Sequence, residues 1–505
     1  MQDYPYLEKI ITARVYDIAI ETPLDHAPML SKRMNNSIYI KREDLQPVFS
    51  FKLRGAHNKI SQLDDAAKKA GVIAASAGNH AQGVALSAQR LGIRSIIVMP
   101  KTTPQIKVSS VKHHGGEVVL HGNTYDEAYL HAREIAAENG MTFVHPYDDP
   151  EVIAGQGTVA MEILKQHPDH IDAIFVPVGG GGLLAGIIAY VKRLRPQTKV
   201  IGVEPDDAAC LYEALKANER VILDSVGIFA DGVAVRQIGE EPFRIVKDLV
   251  DEVILASTDE ICAGIKDIFD DTRAISEPAG ALAIAGMKKY IAKNKLSGKT
   301  FVAIDSGANM NFDRLSHVSE RTELGENREA LLAVTIPEEP GSFRKFCHAI
   351  GHHNITEFNY RYSDKSNAHV FAGIQMWDSQ TEKAKLVAKL NEAGYEALDL
   401  SDNDMAKTHI RYMVGGHANG AENEVLYRFI FPERPGALLR FLTHISHRWN
   451  ISLFHYRNHG AAYGRILTGI QVPVEERAEF TEFLVELEYP FWEETDNPAY
   501  TLFLR

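Results

Sequence analysis

The stretch VIAASAGNHAQGVALSAQRLGIRSIIVMP, residues 72–100, decides how this chain is read. VIAAS (72–76) is short and apolar, the pattern of a strand buried on both faces. From 79 to 91 the period changes. Ala81, Val84, Ala85 and Ala88 fall at i, i+3, i+4 and i+7 on one face of a helix, which Gly92 ends. SIIVMP (95–100) is a second buried strand. Strand, helix and strand of these lengths make a βαβ unit, which implies parallel pairing.

Outward from this unit the theme continues. EVVLHG (117–122) and TFVHP (142–146) bracket a predicted helix over Tyr125–Asn139, and AIFVPV (173–178) and KVIGVEP (199–205) extend the series. The expectation is an α/β domain over residues 1–320, with a parallel sheet covered on both faces and ligand bound beyond the strand carboxyl ends.

The last third contains a repeat. Pro337, Glu338, Pro340, Gly341 and Phe346 recur 95 positions later as Pro432, Glu433, Pro435, Gly436 and Phe441. Asn354, Ile355, Phe358, Tyr360 and Arg361 recur as Asn450, Ile451, Phe454, Tyr456 and Arg457, and Gly373-Ile374-Gln375 as Gly469-Ile470-Gln471. Each copy reads strand, Pro-Gly turn, helix, two strands, helix, strand, the split βαβ pattern of ferredoxin-like α+β modules. The modules are expected at 329–401 and 424–505, with the polar stretch 313–327 as the link to the first domain.

The chain has 505 residues, room for about three domains. A hydrophobic fraction of 45% with 24% charged residues excludes a mainly disordered chain. A net charge of −13 argues against nonspecific binding to nucleic acid or anionic membranes. No apolar run approaches membrane-spanning length and the N-terminus resembles no targeting signal, so a cytoplasmic protein is expected. Cys210, Cys262 and Cys347 fit neither a disulfide framework nor a zinc site, and no metal is expected.

Four features carry chemistry. Gly179, Gly180, Gly181 and Gly182 follow a strand and precede the helix-like LLAGIIAYVKRL, where backbone N–H groups and a helix N-terminus suit a phosphate. On this feature alone a nucleotide site or a ligand-free turn remains open. In SFKLRGA (50–56), Lys52 stands among Phe51, Leu53 and nearby Arg42 and Arg54. Partial desolvation beside other cations lowers an amine's pKa and makes it a nucleophile for carbonyls. SAGNHAQG (76–83) joins a strand to a helix start and offers donors to an anion, or is a simple capping turn. SGANMN (306–311) puts a hydroxyl directly after the strand FVAID.

Together with Thr22-Pro23-Leu24, Lys41-Arg42-Glu43-Asp44 and SEPAGA (276–281), these motifs over about residues 15–320 resemble the fold-type II, tryptophan synthase β-like pyridoxal-phosphate enzymes, the group of threonine and serine dehydratases. The paired repeats resemble the ACT-like regulatory modules of the biosynthetic members. The resemblance implies pyridoxal 5'-phosphate held as a Schiff base on Lys52, with its phosphate on Gly179 to Gly182 and the Leu183 amide. It implies Asn79 at the ring oxygen and Ser306 at the ring nitrogen. The substrate carboxylate would sit on Ser76, Ala77, Gly78, Asn79 and His80. It further implies dehydration and deamination of L-threonine to 2-oxobutanoate and ammonia, the first step of isoleucine biosynthesis. A serine-preferring dehydratase or another lyase or synthase of this fold is the alternative. Isoleucine is implied as feedback inhibitor and valine as activator, with Tyr360, Arg361, Tyr456 and Arg457 as effector candidates, in a homo-oligomer, expected to be a tetramer. Two positions depart from relatives. Ala77 stands where racemases of this fold carry a serine base. Cys210 replaces the aspartate that, with residues matching Glu204 and Ala208, holds a cation elsewhere. Glu277 reads either as a group near the cofactor or as an N-cap or structural carboxylate.

Overall fold

The computed structural model describes residues 6–312, 314–325, 329–337, 345–346, 349–351, 353, 355–360, 367–376, 379–412, 423–432, 449–457 and 463–504. The chain divides into two compact units, Met1–Phe312 and Asp313–Arg505.

The first unit is α/β, as its strands foretell, but the one expected sheet is two. The strands are β1 (Leu24–His26), β2 (Ser37–Arg42), β3 (Val72–Ala75), β4 (Ser95–Met99), β5 (Glu117–Leu120), β6 (Thr142–Phe143), β7 (Ala173–Pro177), β8 (Lys199–Pro205), β9 (Glu252–Ala256) and β10 (Thr300–Asp305). One sheet runs β5-β4-β3-β6, all parallel. The other runs β1-β2-β10-β7-β8-β9, parallel except for β1 at its edge. The break falls at β6, two residues long, which pairs only with Val72 and Ile73. Next, the 17-residue helix Pro150–Gln166 leads the chain into β7 of the other sheet. Helix periodicity along one strand series does not reveal such a change of partner.

Helices pack against both sheets and bury a core with each. Ile174, Val176, Ile187, Ile188 and Val191 fill one core of the larger sheet. Val72, Ala74, Ala81, Val84, Ala85 and Ala88 fill one under the smaller, so the face read from residues 81–88 is the buried one. Because all strands but β1 run in one direction within their sheet, their carboxyl ends share an edge. The turns after β3, β7 and β10 carry the three strand-end motifs.

The second unit holds two four-stranded antiparallel sheets with one topology. With β11 (Glu329–Pro337), β12 (Ile355–Tyr360), β13 (Asn367–Gln375), β14 (Glu396–Asp399), β15 (Glu424–Pro432), β16 (Asn450–Arg457), β17 (Tyr463–Gln471) and β18 (Phe491–Glu493), the orders are β12-β13-β11-β14 and β16-β17-β15-β18. Both copies carry an irregularity at the same place, between Ile355 and Glu357 and between Ile451 and Leu453. The Pro-Gly turns lie outside the described residues. Along β11 the side chains alternate. Leu332 and Val334 pack under the module's own helix, while Leu331 and Ala333 join Phe371, Leu426, Leu467 and Phe503 in a core common to both copies.

The expected polar link is a helix, Arg314–Gly325, whose buried stripe is Arg314, His317, Val318, Arg321 and Thr322. The spacing is helical, but four of the five residues are polar. Arg321 donates to Asp404 at 3.2 Å, and Asp404 also accepts from Arg428 at 2.8 Å. Among the described residues no helix is long and apolar enough to cross a membrane.

Candidate active site

The glycine run folds as a cradle. β7 ends at Pro177, Gly181 takes φ +89°, and Gly182 opens the buried helix Gly182–Leu194, whose N-terminus has no side-chain cap. A Cβ on Gly180 would come within 2.3 Å of the Tyr147 ring, one on Gly182 within 3.0 Å of Tyr147 Cα, and one on Gly179 within 2.9 Å of Val233 Cα. The N–H of Gly239 donates to Gly180 O at 3.1 Å. The loop is therefore confined on several sides, and its uncapped N–H groups suit an anion.

Lys52 opens the helix Lys52–Ser61. The preceding residues are zipped to the end of β10. Ala308 N donates to Phe49 O at 2.9 Å, Ser50 bridges Gly307, and Phe51 N donates to Ser306 O at 3.2 Å. Backbone hydrogen bonding thus fixes Lys52 and Ser306 together. The Lys52 amine donates to Pro146 O at 3.2 Å and lies 5.2 Å from the Phe51 ring. Burial lowers its pKa to about 8, partly opposed by the charge of Glu277. The lowered pKa was anticipated, but the suggested help from neighbouring cations is corrected. Arg54 is fully buried and neutralised by Glu43 and Glu162, and Arg42 by Asp44.

The Ser76 hydroxyl accepts from Gly78 N at 3.3 Å. Asn79 begins the helix Asn79–Arg90 and donates through Nδ2 to Glu277 Oε1 at 2.6 Å. His80 is buried, with Nε2 against Val144 O at 2.8 Å, and burial followed by the Lys52 charge pushes its pKa down to about 3. Its side chain is a neutral strut of this turn. The Ser306 hydroxyl is buried and donates to Ala279 O at 3.3 Å.

Glu204 is buried, and burial raises its pKa to about 7. Its oxygens accept from the N–H groups of Leu211 and Tyr212 at 2.8 Å each, and Cys210 Sγ lies 3.6 Å away. Cys210 Sγ also lies 3.5 Å from Gly179 O. Glu204 thus accepts from two N–H groups in the first turn of the helix Cys210–Ala217.

Sequence reading missed the segment 145–148. Pro146 holds the Lys52 amine, Tyr147 walls the glycine loop, and Asp148 accepts from Glu240 N and Glu241 N at 2.9 Å each. Its one signal was an aromatic residue just past a strand's carboxyl end. Asn309 was also missed. Of the effector candidates, Tyr360 ends β12 and Arg457 ends β16, with Tyr456 before it, both on edge strands. Arg361 lies outside the described residues.

Residues 15–307 match the family described as pyridoxal-phosphate-dependent enzyme, and the chain belongs to that family. Residues 320–410 and 415–504 each match the C-terminal regulatory domain of threonine dehydratase. Within the family the chain stands with the biosynthetic threonine dehydratases. It is 56% identical to the biosynthetic L-threonine dehydratase of Burkholderia multivorans over the full length of both. It is 52% identical to the mitochondrial threonine dehydratase of Saccharomyces cerevisiae, over 99% of this chain and 89% of that one. Among solved structures, the processed threonine deaminase isoform 2 of Solanum lycopersicum aligns with TM-score 0.62 at 51% identity, covering 63% of this chain and 88% of that one. The serine racemase of Dictyostelium discoideum aligns with TM-score 0.57 at 32% identity, covering 61% and 99%.

The cofactor is pyridoxal 5'-phosphate, and the residues present fit it: a cradle that a Cβ would fill, a desolvated amine, an amide donor and a neutral hydroxyl. With a pKa of about 8, the uncharged fraction of Lys52 rises from about a tenth at pH 7 to about nine-tenths at pH 9. Cofactor uptake by the cofactor-free protein is therefore expected to speed up about tenfold over that range, followed by stopped-flow absorbance. A flat profile would contradict the lowered pKa.

Proposed function

We propose that this chain dehydrates and deaminates L-threonine, losing the β-hydroxyl as water and taking water back on hydrolysis so that 2-oxobutanoate and ammonia are the net products, as a threonine ammonia-lyase of isoleucine biosynthesis under feedback control. The observation that carries this reading is the pairing of a desolvated Lys52 amine with the glycine cradle. Bound there, pyridoxal phosphate withdraws electrons from the substrate α-carbon. Lys52 would hold it through Nζ, and the same amine would take the α-proton, a role suited to a base with a pKa near neutrality. Backbone N–H groups of Gly179, Gly180, Gly181, Gly182 and Leu183 hold the phosphate. Asn79 donates to the ring oxygen. Ser306 meets the ring nitrogen as a neutral hydroxyl, which stabilises ring protonation less than a carboxylate would and favours elimination. Ser76, Ala77, Gly78, Asn79 and His80 form the turn that receives the substrate carboxylate. Ala77 offers no opposite-face base for racemisation.

Isoleucine as inhibitor and valine as activator act through the paired modules in a cytoplasmic homotetramer. In the backbone register Arg457 pairs with Arg465 across β16 and β17. Each effector works through its different affinity for two states of the enzyme. The test is a substrate panel with the full chain and with a chain ending at 325. Both are expected to turn over threonine, and only the full chain to be inhibited by isoleucine. Higher kcat/KM for serine would overturn the substrate assignment, and inhibition of the shortened chain would overturn the regulatory one.

A further inference from the structure

Asn309, at the fourth position of SGANMN, makes two hydrogen bonds through one nitrogen. Its Nδ2 donates to Val48 O at 2.7 Å and to Asn79 Oδ1 at 2.7 Å. The first of these decides the second. A backbone carbonyl can only accept, so the Asn309 nitrogen must face Val48. The same nitrogen then reaches Asn79, whose near atom must accept and is therefore oxygen. The Asn79 nitrogen is left on the opposite side, where it donates to Glu277 Oε1 at 2.6 Å. Three side chains thus form a relay whose direction is set at Val48. The segments holding the relay are tied independently by Ala308 N to Phe49 O at 2.9 Å and Glu277 N to Gly307 O at 3.0 Å.

An unconstrained asparagine can turn its amide over and present either atom with little change in shape. We propose that Asn309 is a positioning residue that fixes the Asn79 amide, so that nitrogen and not oxygen faces the cofactor's ring oxygen. This rests on the proposed role of Asn79 and adds the group that enforces it. Without Asn309, half of the amide's orientational control is gone and only Glu277 remains. With a carboxylate at 309, the control is reversed. An acceptor then faces both Val48 O and Asn79 Oδ1, and the Asn79 amide escapes repulsion by turning its nitrogen toward 309. Its oxygen would then meet the cofactor's oxygen.

The experiment compares the parent, Asn309→Asp and Asn309→Leu in the full chain. Cofactor affinity is read by titrating each cofactor-free protein with pyridoxal phosphate and following the visible band of the lysine-bound form. The band is then titrated with pH, and thermal melts without cofactor report stability. Asn309→Asp is expected to bind cofactor about tenfold more weakly. The pH midpoint of its band should rise by about a unit, since a donor on the ring oxygen weakens that oxygen's hold on the neighbouring proton. Asn309→Leu is expected to shift the same way by less. Equal affinity and midpoint in all three would overturn the proposal. So would Asn309→Leu exceeding Asn309→Asp, or a melting loss in either variant with an unmoved midpoint, because each marks a packing role. If Asn309→Asp does not fold, an unmoved band in Asn309→Leu is decisive against it. A parent that forms no band would instead refute the underlying cofactor reading.

Discussion

Lys52→Ala is expected to lose all measurable threonine turnover and the visible band of the lysine-bound cofactor, while keeping its fold. Both halves follow from the site. No other described side chain supplies an amine in that place. Lys41 is fully buried beneath the sheet, where it donates to Glu162, Thr22 O and Gln166. The fold should survive because the Lys52 amine makes one hydrogen bond, to Pro146 O. The folded pKa of about 8 lies below the usual lysine value, so the folded state disfavours the charged amine. That cost is fully present below pH 8 and fades as pH rises through the folded value toward the unfolded one. Removing the amine at pH 7 should therefore not lower the melting point of the cofactor-free protein. Turnover by a well-folded variant would refute the assignment.

Glu162→Ala should have the largest effect on stability. Glu162 is buried and accepts from Lys41 at 2.6 Å, from Arg54 at 2.6 and 2.9 Å, and from the Tyr16 hydroxyl at 2.8 Å. Arg54 also holds Glu43 through two nitrogens at 2.7 Å each. Two buried cations and two buried anions thus balance one another. Removing one anion leaves a surplus buried positive charge, at a cost of about 3–5 kcal/mol by chemical denaturation. Glu162→Gln, which keeps an acceptor, should cost less. Because Arg54 sits in the first turn of the Lys52 helix, variants that still fold are expected to take up cofactor more slowly. A change below about 1 kcal/mol in Glu162→Ala would show that the charges have found water.

How legible this was depended on what filled each element. The strands of the first unit are continuous apolar runs, so β3, β4, β7 and β8 fall where the sequence placed them. Lys52, Asn79, Ser306 and the glycine run were legible because each motif ends a strand or opens a helix. Arg54 and Lys41 were read only as motif neighbours of Lys52, since sequence does not reveal that a cation is buried with partners more than 100 positions away. The helix Arg314–Gly325 was taken for a linker because its buried stripe is mostly polar. Pro146, Tyr147 and Asn309 act through a backbone carbonyl, a ring face and an amide orientation, none of which leaves a pattern along the chain.

The core shared by the two repeats, with Asn403 of one copy donating to Asn497 of the other at 3.2 Å, makes the regulatory unit a dimer fused into one polypeptide. In a dimer of identical chains every substitution appears twice, and both halves must tolerate it. Fusion lifts that restriction. A change at Arg457 leaves its counterpart Arg361 untouched, so mutation can drive the two halves toward opposed ligands while the common core keeps them mechanically inseparable.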